Sequence, residues 1–410
     1  MILRYARNII RFKKWKLVCC VVALLVGLRI AAVFLTFRAR VDQLFELHKC
    51  PACFGVSACD LARKTDLPFT DLSEILLYFF GAKNVFFGNI GERQIVLKKL
   101  AHYSELEEFD ERLQEKSNYS HLFTKDVRKQ NVNFEELIRK EVSLSFEDDH
   151  LSRLRLCPKT ERLNNLLRNV FLNSKEDDRD VLLANIWTIV LINPEPLLLQ
   201  ILSVDDGWPV SKYIGACGRV VIQEYSGRTL TTYYDEPWHI RAKIASSLLN
   251  AARMFTFENK DFAFYLTDIS ADNIAVSPNN NAKFVDLENV IVVDKHASLK
   301  KEHNYPDQLI FSTKEICAHR LSDHNFYAIC QMLLAKKASD SSLPGGLLHG
   351  VPVNVTQTYP MLQYLLNQCA TPVGPYNRIE AGMQLKDLLD KILRAWNFVT
   401  IINHERNYVE

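Results

Sequence analysis

The chain has 410 residues, 48% hydrophobic and 24% charged, with 14 Gly and 14 Pro, which excludes a disordered or low-complexity protein and suits one large bilobal domain or two smaller ones. Its formal net charge is +2, but residues 1–16 hold six cations and no acid, so the remainder carries 44 basic against 48 acidic residues. That near-neutral body has no basic stripe, and no nucleic-acid partner is expected.

The cationic tail (Arg4, Arg7, Arg11, Lys13, Lys14 and Lys16) precedes an apolar run, "LVCCVVALLVGLRIAAVFLTF", from Leu17 to Phe37, broken only by Arg29 and Thr36. As a helix rising about 1.5 Å per residue, this run is long enough to cross a ~30 Å hydrocarbon core. The basic flank predicts a cytosolic N-terminus and a luminal body. An uncleaved anchor is preferred here to a cleaved signal peptide with Leu17–Leu28 as its apolar core. Either way the body is expected in the ER and Golgi lumen, as a single-pass type II membrane protein, or secreted.

Beyond Cys19 and Cys20 in that run, eight cysteines remain: Cys50, Cys53, Cys59, Cys157, Cys217, Cys317, Cys330 and Cys369. An even luminal number suits up to four disulfides, whose pairing sequence does not fix. The cluster "CPACFGVSAC" contains a CxxC with no matching second one, so disulfides are preferred there to zinc. Sequons at Asn118 (Asn-Tyr-Ser) and Asn354 (Asn-Val-Thr) are glycosylation candidates on a luminal surface.

Residues 38–82 form a cysteine-bearing leading segment. "KNVFFGNIGERQIVLKKL" then reads as a hairpin. "SELEEFDERLQ" predicts a helix with a Ser104–Glu107 capping box and Leu106, Phe109 and Leu113 inward. A charged, helical stretch over about 114–200 ends at "NPEPLLLQ", where paired prolines stop a helix. "YIGACGRVVIQEYSG" predicts two strands around a Gly-rich turn. "PWHIRAKIASSLLNAARMF" starts a helix at Pro237, with Ile240, Ile244, Leu248 and Ala251 on one face. "NAKFVDLENVIVV" reads as a strand pair, and helical patterns dominate from about 322 to 405. The fold class is α+β, with a strand-rich front and a helical back.

Within "FYLTDISADNIAV", Asp268, Asp272 and Asn273 interrupt an apolar run, and such groups are costly to bury without partners. A D-x4-N pair alone is expected by chance in a chain of this length. Here it follows an amphipathic helix, and Asp286 stands 18 residues past Asp268 at the end of the apolar "FVD". Phosphoryl transfer from ATP uses such a set: one carboxylate to take the acceptor's proton, and an amide with a second carboxylate to hold magnesium on the phosphates. Upstream, "IVLK" puts Lys98 on a strand, where a point cation grips phosphates. Taken singly, Lys98 also reads as a solvated strand-end lysine, Asp286 as an Asx-turn residue and Asp272 as a solvated loop acid.

At these residues the chain resembles a protein kinase: "DISADN" matches the catalytic loop, "DLE" the Asp-Phe-Gly metal loop, "IVLK" the strand lysine, and "SDHNFYAIC" the helix that holds the catalytic loop. "KCPACFG", "NPEPLLLQ", "DDGWPVSKYIGACGR", "FVDLENV" and "GGLLH" extend the resemblance to the divergent protein kinase domain family, in the branch containing the deleted-in-autism protein. It covers about residues 48–400. It implies a bilobal kinase-like fold in the secretory pathway, with an N-lobe over 83–225, a helical insertion at about 114–200, and a C-lobe over 226–410. Carried over by position, Asp268 is the catalytic base, Asn273 and Asp286 hold Mg or Mn against ATP, and Lys98 is the phosphate lysine. Its helix-acid partner is sought among Glu105, Glu107 and Glu108, with Glu105 favoured by resemblance. Tyr225 falls at the adenine hinge, and Asp323 is structural.

Four departures stand out: Leu266-Thr267 replaces His-Arg, Glu288 replaces the metal-loop glycine, no Gly-x-Gly-x-x-Gly precedes Lys98 (Gly88 and Gly91 are the candidates), and no Ala-Pro-Glu is evident. Two functions are therefore expected to compete. One is a luminal or secreted kinase acting on a protein or glycan hydroxyl, which the retained polar residues favour. The other is a pseudokinase serving as a secreted signal or scaffold for a receptor, which the departures favour.

Overall fold

A computed structural model describes residues 21–22, 24–29, 44–67, 84–115, 133–144, 154–158, 161–174, 176–297, 313–338, 341–373 and 377–406. Its strands are β1 (Val85–Ile90), β2 (Arg93–Lys98), β3 (Arg155–Cys157), β4 (Tyr213–Cys217), β5 (Val220–Glu224), β6 (Arg228–Thr229), β7 (Phe262–Leu266), β8 (Ile274–Val276), β9 (Ala282–Phe284) and β10 (Val290–Asp294). The helices that matter here are α1 (Tyr103–Glu115), α2 (Phe134–Leu144), α3 (Arg179–Ile192), α4 (Glu195–Ile201), α5 (Trp238–Arg253), α6 (Thr313–Ala318), α7 (His324–Tyr327), α8 (Val353–Thr358), α9 (Met361–Ala370) and α10 (Arg378–Arg406).

β1 and β2 form the expected hairpin, in register from Val85↔Lys98 to Ile90↔Arg93. β2 pairs with β5 and β5 with β4, giving an antiparallel sheet of order β1-β2-β5-β4. Because side chains alternate across a strand, Ile95 and Leu97 enter a core with Phe45, Cys59, Cys217 and Ile222, while Val96 and Lys98 face the cleft between the lobes. β5 obeys the same rule, with Val220 and Ile222 on the core side and Gln223 on the cleft side.

The leading segment is fastened to this sheet. Cys50 bonds Cys53, and Cys59 bonds Cys217 at the end of β4. Arg219, fully buried, pairs with Asp110 of α1 and with Glu46, and Lys49 reaches Asp110 at 2.7 Å. Burial alone would raise the Asp110 carboxyl, but hydrogen bonds from Arg219 and Lys49 outweigh it and hold the group below its usual range. At Gly218 (φ 60°), a Cβ would lie 1.7 Å from the carbonyl oxygen of Phe45, so only glycine lets the two backbones approach.

The second lobe departs from expectation in two places. β3, inside the stretch expected to be a helical insertion, joins the sheet β3-β10-β7 of the helical lobe, parallel to β10. Cys157 on β3 bonds Cys317 of α6, which locks that attachment. "NAKFVDLENVIVV" does supply two strands, but they do not pair with each other. β9 belongs to the sheet β6-β8-β9, and β10 pairs with β7. The turn between them is thereby freed to line the cleft. Helix α5 buries Ile244, Leu248 and Ala251 as the pattern predicts, and Cys330–Cys369 ties the π-turn after α7 to α9. All eight candidate cysteines are thus paired.

The paired prolines of "NPEPLLLQ" separate two buried helices, α3 and α4, which bend by 116° and pack in the core. Within the apolar N-terminal run, the described residues 21–22 and 24–29 are helical with exposed side chains. Among the described residues no single helix is long and apolar enough to cross a membrane, and the rest of that run lies outside them, as does Asn118. Asn354, on α8, is exposed.

Candidate functional site

A cleft of about 580 Å³ opens between the strand-rich sheet and the turns around β8 and β9. Val85, Phe87 and Gly88 of β1 and Val96 and Lys98 of β2 line one side, Gln223 to Thr229 the back, and Asp272, Asn273, Ala275, Val285 and Asp286 the other side. Its mostly apolar wall with a few convergent polar groups is typical of small-molecule sites. Tyr225 lies between β5 and β6, its N–H bonded to Gln94 O at 3.1 Å and its ring edge-on to Phe87 at 6.0 Å. Gly91 lies in the hairpin turn and Gly88 on the strand, where a Cβ would meet Leu67 and Thr65 at 2.6 Å.

The acid that pairs with Lys98 is Glu195, not Glu105. Lys98 Nζ stands 2.9 and 3.2 Å from the two Glu195 oxygens and also donates to the Val285 carbonyl. Glu195 opens α4, where the helix N-terminus favours a negative charge. Gln223 Nε2 donates to the same carboxylate, and the Glu195 N–H is held by Asn193 Oδ1 at 2.9 Å. Burial pushes the Glu195 carboxyl up, Lys98 pulls it down, and the nearby charge of Asp286 adds to the rise. Glu105 is occupied otherwise. Its carboxylate accepts the His102 N–H at 2.7 Å and caps α1, the role expected of Glu107. The helix begins at Tyr103, so Glu105 is the acid in its first turn.

Glu195, Gln223 and Asn193 were not singled out from sequence. The available signal was a lone acid between two prolines in the apolar "NPEPLLLQ", since a carboxylate in such a run must find a cation when buried.

Asp268 and Asn273 lie in one turn between β7 and β8. Asn273 Nδ2 donates to the Asp268 carbonyl at 3.3 Å, which leaves Asn273 Oδ1 as the atom able to ligate a metal. Asp286 lines the cleft, and one of its oxygens also accepts the Glu288 N–H at 3.2 Å, as an Asx turn does. Asp268 is exposed, and Asp272 is exposed while also lining the cleft.

Asp323 is structural but does not hold the catalytic loop. At the N-cap position of α7, its carboxylate pairs with Arg378 at 2.8 Å rather than capping the helix. The strand leading into the loop is held instead by Asn325 and His324. Asn325, fully buried two residues further on, accepts from Leu266 N at 3.1 Å and donates to Phe264 O, while His324 Nε2 bonds Leu266 O at 3.0 Å.

A family model described as "Protein-kinase domain of FAM69" matches residues 186–372, which include Glu195, Asp268, Asn273 and Asp286. The chain is similar to Divergent protein kinase domain 2A of Xenopus tropicalis, 34% identical over 388 residues covering 85% of this chain and 88% of that protein. The chain belongs to the divergent protein kinase domain family. Human Divergent protein kinase domain 2A is 33% identical over 385 residues, with the same coverage, and human Divergent protein kinase domain 2B is 28% identical over 257 residues, 58% of this chain and 56% of that one. In this member of the divergent protein kinase domain family, Thr267 stands where the activation-loop anchor would. Its hydroxyl donates to Asn289 O, which ties the catalytic loop to the turn that follows Asp286.

Proposed function

We propose that the cleft binds ATP with Mg or Mn and transfers the γ-phosphoryl group to a hydroxyl on a luminal or extracellular protein or glycan. The observation that carries this reading is that Lys98, held by buried Glu195, lines the same cleft as Asn273 and Asp286. Lys98 would meet the α- and β-phosphates, and Tyr225 and the hinge backbone would flank the base. Among the described residues no cluster of three or more His, Cys, Asp or Glu is placed to hold a metal alone. Asn273 Oδ1 and Asp286 therefore fit an ion completed by phosphate oxygens and water, as Mg usually is. Such an ion neutralises charge on the transferring phosphoryl.

Asp268 takes the proton from the acceptor hydroxyl. The hydroxyl oxygen forms the new P–O bond as the bond from the γ-phosphorus to its bridging oxygen breaks, leaving ADP. Exposure of Asp268 suits a hydroxyl presented from solvent by a macromolecule. The four disulfides support residence in the secretory pathway or outside the cell, with the apolar N-terminal run as the membrane attachment.

One observation favours the pseudokinase reading, a scaffold without transfer. Lys98 has three donors, and two Glu195 oxygens and the Val285 carbonyl engage them, so a phosphate would have to displace Val285. Thermal shift with ATP and manganese, alongside phosphate incorporation, separates the two. On the kinase reading, Asp268→Asn keeps the shift and lowers transfer on the order of 10²–10⁴-fold, whereas Lys98→Ala, Asn273→Ala and Asp286→Ala reduce both. No shift in the wild-type protein supports the scaffold.

A further inference from the structure

Glu288 replaces the glycine of the metal loop, yet it does not line the cleft. Its Oε2 accepts from Asn193 Nδ2 at 2.9 Å, and its Oε1 from Asn289 Nδ2 at 3.3 Å. Asn193, 2% exposed, sits in the corner between α3 and α4. Its Nδ2 also reaches Leu100 O at 3.2 Å, just past Lys98, and its Oδ1 accepts the Glu195 N–H at 2.9 Å. With Glu288 N–H on Asp286 Oδ1 at 3.2 Å, an unbroken chain of hydrogen bonds runs from Asp286 through Glu288 and Asn193 to Glu195 and Lys98.

We propose that Glu288 is a positioning residue that clamps the metal-holding turn to the helix presenting Glu195. In protein kinases the lysine–glutamate pair and the metal-loop aspartate must both be in place, and activation-loop phosphorylation controls this. Here a charge-assisted hydrogen bond between a carboxylate and a buried amide does the same work permanently. A glycine could not supply it. The site is therefore assembled constitutively, and the residue that looks most like a disabling substitution is the one that assembles it. The functional half of this inference rests on the proposed nucleotide site, whereas the structural half does not.

The test compares Glu288→Ala, Glu288→Gln, Asn193→Ala and the Glu288→Ala/Asn193→Ala double variant of the full chain. Hydrogen exchange is read first, without nucleotide, at residues 286–289 and at the amide of Glu195. That amide is bonded by Asn193 Oδ1 and reports on Glu288 only through Asn193, which makes it the informative probe. Glu288→Ala is expected to speed its exchange about tenfold, the scale of one charge-assisted hydrogen bond. Glu288→Gln keeps an oxygen for Asn193 and restores wild-type exchange. The double variant exchanges no faster at Glu195 than Asn193→Ala alone.

Mn-ATP affinity, measured by calorimetry, should fall about tenfold in both alanine variants and be retained in Glu288→Gln. Faster exchange confined to 286–289 in Glu288→Ala would overturn the clamp. So would additive effects in the double variant. Coupled exchange in a protein that binds no Mn-ATP would uphold the clamp and refute the nucleotide site.

Discussion

Replacing Glu195 by leucine strands the Lys98 ammonium. The side chains are 2% and 12% exposed, so neither partner can recover full hydration once the other is gone. Breaking a buried ion pair from one side costs about 3–5 kcal/mol. The opening of Lys98 to the cleft argues for the lower end of that range, while the Gln223 amide, left without its acceptor, adds about 1 kcal/mol or more. Glu195→Leu should therefore destabilise by about 4 kcal/mol, and Lys98→Met by about 3 kcal/mol. The double variant replaces the pair with apolar groups and should cost well under the sum, a coupling of about 2 kcal/mol or more. Urea unfolding followed by tryptophan fluorescence measures all three. By contrast Glu105→Ala removes only a helix cap and should cost about 1 kcal/mol. A coupling below about 0.5 kcal/mol, or a larger loss in Glu105→Ala than in Glu195→Leu, would refute the assignment of Glu195 as the lysine's partner.

The charge cluster under the sheet gives a pH dependence. Because Asp110 is held below its unfolded range, its stabilisation is complete above about pH 4 and is lost as pH falls through the folded value; melting temperatures from pH 5 to pH 2 should drop more steeply in wild type than in Asp110→Asn. Gly218→Ala, with its Cβ 1.7 Å from Phe45 O, should cost several kcal/mol in urea unfolding, whereas Gly91→Ala, at φ 59° in open space, should cost about 1 kcal/mol. Replacing Cys59 and Cys217 together by serine opens a loop of 158 residues, and urea unfolding should show a loss of about 4–5 kcal/mol. If the body is luminal, endoglycosidase should shift its gel mobility and Asn354→Gln should remove part of that shift, the side chain being exposed on α8.

What the sequence made legible was local. Alternation in "RQIVLK" puts Lys98 on the cleft face of β2, and helical spacing puts Ile244 and Leu248 of α5 in the core. Where a role depends on a distant partner, local pattern gives no purchase. Glu195 meets Lys98 across 97 residues, whereas the resemblance favoured Glu105, an acid close to Lys98 in sequence. Cysteine number implied disulfides, but pairings spanning 158 and 160 residues need the fold to define them. β3 is three residues long and takes its strand character from β10, which explains why a charged, helical-looking stretch concealed it. Asp323 precedes α7 at its N-cap position, whereas Asn325 lies within the helix. The buried Asn325 holds β7 at Phe264 and Leu266, and the half-buried Asp323 meets Arg378.

The crosslinks also set how the chain behaves when it is cut. Cys59–Cys217 closes one covalent ring, and Cys157–Cys317 closes a second that overlaps it. A single cleavage anywhere between residues 59 and 317 therefore leaves two fragments that still travel as one molecule until a reductant reaches them. Before Cys50 no crosslink reaches back from the body, because Cys50–Cys53 closes only on itself. A cut upstream of residue 44 would part the folded body from what precedes it, with Phe45, Glu46 and Lys49 still seated on the sheet and Lys98, Glu195, Asp268 and Asp286 carried away together.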